Sequence, residues 1–192
     1  MNAMKEIDQA AVAEFVGAAH GDLDTVKRML RDNPALLNAV WEQFNETAIQ
    51  AATQTGARDI AEFLIAQGAP VDICTAAMLG DEKRVDAMLQ ADPSLARAKG
   101  SHDIPVLYFA ALSGNDAIAE NLLAYGGGEG KEIALHAAVL SGKPEMVTWL
   151  LANGVGDVNL PNYKGKTPLT VALEKGYFDI ADMLQSEGGV EM

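Results

Sequence analysis

At 192 residues, 49% apolar but only 6% aromatic, the chain is long enough for one core or a short array of stacked units, and too apolar for a disordered acidic polymer. Fourteen basic residues against 27 acidic ones leave a formal net charge of −13, which repels phosphate backbones, and no basic stripe offsets it; nucleic acid is excluded as a partner. The single cysteine, Cys74, excludes an internal disulfide and a cysteine-based metal cluster, and no apolar run approaches the ~20 residues a membrane helix needs.

The chain starts with Met1 to Asp8, where Glu6 and Asp8 stand in place of the basic and apolar stretches of a signal peptide, so the expected setting is reducing and cytoplasmic. From there on one pattern recurs. A small-residue helix ends near a glycine, and an amphipathic helix follows. The glycines are Gly21, Gly56, Gly80, Gly114, Gly142 and Gly176, at intervals of 35, 24, 34, 28 and 34. The stretches before them include Val16-Gly17-Ala18-Ala19, Ala51-Ala52-Thr53, Thr75-Ala76-Ala77, Phe109-Ala110-Ala111, His136-Ala137-Ala138 and Val171-Ala172-Leu173. Alanines there allow close helix approach, and the glycine supplies the left-handed conformation that ends a helix without a Cβ penalty. In the helices that follow, Val26, Met29 and Leu30 fall at i, i+3 and i+4, the spacing of one buried face. Ile60, Phe63 and Leu64 repeat that spacing, as do Val85, Met88 and Leu89, then Val147, Leu150 and Leu151, then Ile180, Met183 and Leu184. Cys74, within the apolar run Ile73 to Ala77, reads as a small core residue.

Six units result, over about 9–37, 38–70, 71–96, 97–126, 127–157 and 158–188, in a single domain of residues 1–192. The uneven intervals pair them. Asp22, Val26, Met29-Leu30, Asn33-Pro34-Ala35-Leu36 and Ala39 of the first unit align with Asp81, Val85, Met88-Leu89, Asp92-Pro93-Ser94-Leu95 and Ala98 of the third. The array reads as three doublets, with long lead-ins at 38–47, 97–106 and 158–167, each able to form a β-hairpin finger. Between the second and third units, Gly68 to Asp72 leaves no room for a finger, and Asp72 is expected to cap the next helix. Gly126-Gly127-Gly128-Glu129-Gly130 is expected to be a short flexible connection, a weak point between doublets.

The segment Asn162-Tyr163-Lys164-Gly165-Lys166-Thr167-Pro168-Leu169-Thr170-Val171-Ala172, followed by Gly176, resembles the D-x-x-G-x-T-P-L-H-x-A…G pattern of the ankyrin repeat family. Leu135-His136-Ala137-Ala138 carries the L-H-x-A part, and Gly68 to Asp72 and Gly154 to Asn159 resemble the family's G-A-x-V-N exit. The resemblance extends over about residues 9–188. It implies an all-α solenoid of six helix–turn–helix repeats with short β-hairpin fingers. No unit keeps both members of the family's threonine–histidine pair: the fifth has Ile133 and His136, the sixth Thr167 and Thr170. Weaker polar latching between repeats is expected.

No catalytic or metal constellation stands out. His20, His102 and His136 fall in three different repeats, and the repeat motif accounts for His136. Gly126 to Lys131 lacks the strand context of a phosphate loop. Asp22, Asp24, Asp81, Glu82, Asp116, Glu145 and Asp179 cluster where second helices begin, which favours the helix dipole. The chain therefore reads as a non-enzymatic module with no cofactor, a monomer that binds a protein partner through its concave face and fingers. The alternative is an inhibitor or immunity-type protein that engages a basic target through its acidic surface. By the family's geometry, the finger candidates are Trp41, Gln43, Phe44 and Asn45, then His102 and Asp103, then Tyr163 and Lys164. Helix-end candidates are Gln54, Met78, Leu79, Leu112, Leu140 and Glu174, with Met78, Leu79 and Leu140 leaving apolar surface on the inner face. Trp41 and Phe44 are the sharpest of these, although Trp41 could instead pack back over the first repeat. Trp149, beside Leu150, reads as core.

Overall fold

In a computed structural model of the chain, which describes residues 7–192, twelve α-helices follow one another in antiparallel pairs. The first repeat holds α1 (Gln9–Ala18) and α2 (Leu23–Asp32), the second α3 (Ala48–Thr55) and α4 (Arg58–Ala66), and the third α5 (Ile73–Met78) and α6 (Glu82–Ala91). The fourth holds α7 (Val106–Ser113) and α8 (Asp116–Ala124), the fifth α9 (Lys131–Leu140) and α10 (Pro144–Ala152), and the sixth α11 (Pro168–Lys175) and α12 (Phe178–Ser186). Residues 1–6, on which part of the signal-peptide reading rests, lie outside the described residues. No described helix is long and apolar enough to cross a membrane.

The helices form two layers. Each first helix packs on the first helix of the next repeat, and α6, α8, α10 and α12 stack likewise outside them. Small residues make the inner layer tight: Ala51, Ala52, Ala76, Ala77, Ala110, Ala111, Ala137, Ala138 and Ala172 are all buried. In the outer helices the i and i+4 residues of four of the five periodic triads go to the core, and in the fifth repeat Val147 and Leu150, at i and i+3, do so. Met29 joins them, whereas Phe63, Met88, Leu151 and Met183 are half-buried. Trp149 is half-buried against the core, and Cys74 is buried, which pushes its thiol pKa up.

Carboxylates and an amide start the outer helices. Asp22 accepts from the Thr25 N–H, Asp81 from Arg84, and Asn115 from Ile118, satisfying donors that no helical carbonyl reaches. The Thr25 N–H holds the Asp22 carboxyl below the usual carboxylate range. Asp72 caps α5 through the Thr75 N–H at 2.7 Å, as its place in the sequence suggests.

The turns between paired helices follow expectation at five positions, where Gly56, Gly80, Gly114, Gly142 and Gly176 have φ between 61° and 76°. Gly21 departs from it. Its φ is outside the left-handed range, because α1 ends on a chain of i→i+3 bonds through Ala19, His20 and Gly21 before Asp22 caps the next helix.

Exits from the outer helices are of two kinds. Asn33 and Asp92 have nearly the same backbone angles (φ −143° and −144°) and each caps a 3₁₀ turn that opens on proline, Pro34–Leu36 and Pro93–Arg97. This structural identity supports pairing the first repeat with the third. The fifth repeat leaves through the left-handed Gly154 instead, so the doublet pattern is complete only twice.

Of the three long lead-ins, the first forms a two-stranded antiparallel hairpin. Its strands β1 (Val40–Trp41) and β2 (Glu46–Thr47) set Val40 opposite Thr47 and Trp41 opposite Glu46. The second has a single bridge between Lys99 and Pro105, and the third a turn in which the Asn162 side chain accepts from the Lys164 and Lys166 N–H groups. Prolines on or beside the arms, Pro105 and Pro161, remove ladder donors that the first finger retains. The glycine-rich connection before α9 is packed, not loose. A Cβ on Gly127 would lie 2.3 Å from the Ala96 carbonyl oxygen, and Arg97 donates to the Gly126 carbonyl.

Candidate functional site

First helices and fingers share one face, and the missing fingers decide its relief. The third repeat has none, and all six residues of its α5 are buried between α3 and α7. The second and fourth repeats consequently meet above it. The Tyr108 hydroxyl donates to the Gln54 carbonyl at 3.4 Å, the Leu112 side chain lies against Gly56, and His102 Nε2 stands 3.9 Å from Glu46 Oε1.

This contact corrects two expected site residues. Met78 is only 3% exposed and Leu112 only 8%, because the neighbouring repeats close over α5 where a finger would have held them apart. Leu79 is half-buried, and its carbonyl accepts from the Arg58 guanidinium at 2.7 Å. Gln54 is half-buried with its Oε1 buried and unpaired.

The fifth repeat lacks a finger too, yet there the face stays open. A groove of about 340 Å³ runs over α9, between Ile104 and Tyr108 of the fourth repeat and Pro161 and Tyr163 of the sixth. Ile133, His136 and Leu140 form its floor and one wall. Leu140 is 48% exposed and Tyr163 is 92% exposed, so its rim offers large apolar surface to solvent. Burial, with Tyr163 nearby, raises the Tyr108 pKa.

His136 is held at that floor. Its Nε2 lies 2.7 Å from the Leu160 carbonyl oxygen, and since a carbonyl only accepts, Nε2 carries the proton. Partial burial lowers the His136 pKa, opposed by this hydrogen bond. In the sixth repeat, Thr170 bonds the Thr167 hydroxyl at 3.0 Å and reaches Met192, so the chain's last residues occupy the place that Leu160 takes on the fifth repeat. Polar latches between repeats thus exist without the threonine–histidine pair.

The remaining finger residues are exposed: Gln43, Phe44 and Asn45 on the first tip, His102 and Asp103 on the second, and Tyr163 and Lys164 on the third. Trp41 takes the second of its two expected places, packed back on the core. It packs half-buried against the core and presents its ring to the edge of Phe44, with centroids 4.5 Å apart. Gln9 of α1 fixes the hairpin from beneath, donating to the Val40 carbonyl and accepting from the Glu42 N–H. Lys164 Nζ sits 5.3 Å from the Tyr163 ring centre, and Glu174 pairs with Lys166 at 2.6 Å.

Sequence reasoning passed over the groove residues Ile104, Tyr108, Ile133 and Pro161, and the buried Glu46. The first three stand at or before the opening turns of inner helices, a position that the repeat pattern itself marks. For Glu46 no local signal exists. Among the described residues, no three His, Cys, Asp or Glu side chains converge as metal ligands would.

Comparison with known proteins agrees with this architecture. A family model described as ankyrin repeats in three copies matches residues 107–192, and a single ankyrin repeat model matches residues 44–76. Residues 1–43 and 77–106, outside both matches, include the first unit and most of the third, the two that exit through proline. Over 171 residues, 86% of its length, the chain is 29% identical to NPR1 of Malus hupehensis, a BTB/POZ domain and ankyrin repeat-containing protein, and it covers 29% of that relative. The paired helices, the left-handed glycine turns and the matched models have one explanation: the chain belongs to the ankyrin repeat family.

Proposed function

We propose that this chain is a non-enzymatic binding module whose protein partner lies along the inner face, in the groove over α9 and against the fingers. Ankyrin repeats generally serve as protein–protein interaction modules. The observation that carries the more specific reading is the open groove, with Leu140 and Tyr163 exposed on its rim beside buried Ala137. Apolar side chains left in solvent around a concave site are the usual mark of an interface, and aromatic rims supply its anchors. The molecule acts as a cytoplasmic monomer in this reading, without a cofactor.

Gln54, Leu79, Leu140, Tyr163, Lys164 and Glu174 remain partner-binding candidates on this face, with Trp41, Gln43, Phe44, Asn45, His102 and Asp103 at the finger tips. A photoreactive residue placed at Tyr163 should crosslink to the protein that co-purifies with the wild-type chain. The same group at Asp182, exposed on α12 of the outer layer, should not. Equal crosslinking from both positions, or from Asp182 alone, would overturn the placement.

A further inference from the structure

Three buried side-chain polar atoms among the described residues have no hydrogen-bond partner: Glu46 Oε1, Gln54 Oε1 and Ser101 Oγ. Glu46 on the first finger and Ser101, beside His102 on the second, lie where the finger-less third repeat lets those fingers meet, whereas Gln54 lines the groove over α9. Buried polar groups are nearly always paired, so two orphans at one junction indicate a missing partner. The Glu46 carboxylate, when ionised, only accepts and carries a full charge.

Glu46 is the most demanding of the three. It is 1% exposed and points from β2 on the same hairpin face as Trp41, its register partner. Among the described residues the one basic side chain within 4 Å is His102, at 3.9 Å, too far for a hydrogen bond. The His102 ring accepts or donates no hydrogen bond among the described residues and is exposed on the second fingertip, so side-chain rotation alone moves it aside. Phe44, 46% exposed, stands 5.9 Å from His102 and presents an aromatic surface beside the carboxylate.

We propose that this junction receives one arginine side chain of the partner protein, whose guanidinium displaces His102, donates to Glu46 and Ser101, and stacks on Phe44. The proposal rests on the protein-binding reading above. A guanidinium suits the place for three reasons. Its planar fork meets a carboxylate and a hydroxyl together, its weak hydration lowers the desolvation cost of a nearly closed site, and its face packs on an aromatic ring. The net charge of −13 draws such a group towards the surface.

The test is an NMR titration of the ¹⁵N-labelled chain with N-acetyl-arginine amide. Saturable shifts are expected at the amides of Glu46, Ser101 and His102 and at the Trp41 indole. Glu46→Gln should weaken the binding by about tenfold or more. Phe44→Ala should weaken it less, and Asp182→Asn, at an exposed acid on α12 of the outer layer, should leave it unchanged. The neutral isostere N-acetyl-citrulline amide should give no saturable shift. Were Glu46→Gln to lose its native spectrum, Phe44→Ala and His102→Ala would decide: the first should weaken binding and the second preserve or strengthen it. Shifts spread over the acidic surface, or indifferent to Glu46→Gln, overturn the site, and equal binding of N-acetyl-lysine amide overturns the guanidinium assignment. A partner that crosslinks through Tyr163 while arginine amide fails to bind would sink this inference and leave the binding module standing.

Discussion

A Cβ at Gly142 would sit 2.9 Å from Cζ of Tyr177, and φ at this position is 61°, a region that β-branched residues avoid. Gly142→Val therefore meets both steric conflict and backbone strain, and should lower unfolding stability by about 1–3 kcal/mol in urea titrations. Gly21 occupies the corresponding place in the first repeat but needs neither allowance. A Cβ there finds open space and φ is not left-handed. Gly21→Ala should change stability by less than about 0.5 kcal/mol, or raise it slightly by restricting the unfolded chain. A loss at Gly21 equal to that at Gly142 would mean that the two turns are the same after all. The glycine spacing in the sequence made these residues look equivalent. What separates them is hydrogen bonding at the end of α1, which no single residue type announces.

At the scale of elements, the link between the fifth and sixth repeats turns on His136. Its folded pKa is lowered by partial burial, against the smaller opposing effect of the bond to Leu160. The unfolded chain therefore binds a proton at higher pH than the folded one. The stability that neutral His136 contributes is complete above about pH 6.5, the ordinary imidazole value, and is lost as pH falls through the lower folded value. Thermal unfolding measured between pH 7.5 and 5.5 should show a falling midpoint in the wild type and a flatter one in His136→Asn. Identical profiles would remove His136 from the account. The histidine was legible in the sequence through the Leu135-His136-Ala137 motif, but its partner was not, because Leu160 lies 24 residues away in the next lead-in. Finger formation was legible only as loop length. Whether a long lead-in pairs as strands depended on prolines on or beside its arms, and the first finger, with none in β1 or β2, is the one that does so.

Across the whole molecule each repeat leans mainly on its neighbours, with the second and fourth also meeting across the third, so stability is expected to be highest inside the array and lowest at its ends. In α7, Val106, Leu107 and Phe109 to Leu112 are all buried, and α9 packs closely against it through Ala134, Leu135 and Ala137 to Val139. Native-state hydrogen exchange should accordingly be slowest in α7 and α9 and faster in α1 and α12. Protection of α12 equal to that of α7 would show that the array opens as one unit. The packed glycine connection before α9 supports the slow centre, where a loose linker would have divided it.

The sequence by itself determined the repeat: alanine-rich inner helices, periodic outer helices, glycine turns and acidic helix starts all follow from local chemistry and a period close to the family's. It also showed which repeats had room for a finger. Only the tertiary structure decided what those gaps became. Over α5 the neighbouring repeats close, burying Met78 and Leu112 and bringing His102 beside Glu46; over α9 they stand apart and leave a groove between Tyr108 and Tyr163. Glu46 and His102 are 56 residues apart, and their approach depends on the length of α5 and the absence of anything above it. Periodicity records which face of a helix is buried against its neighbours. It does not record how closely two repeats meet across a third.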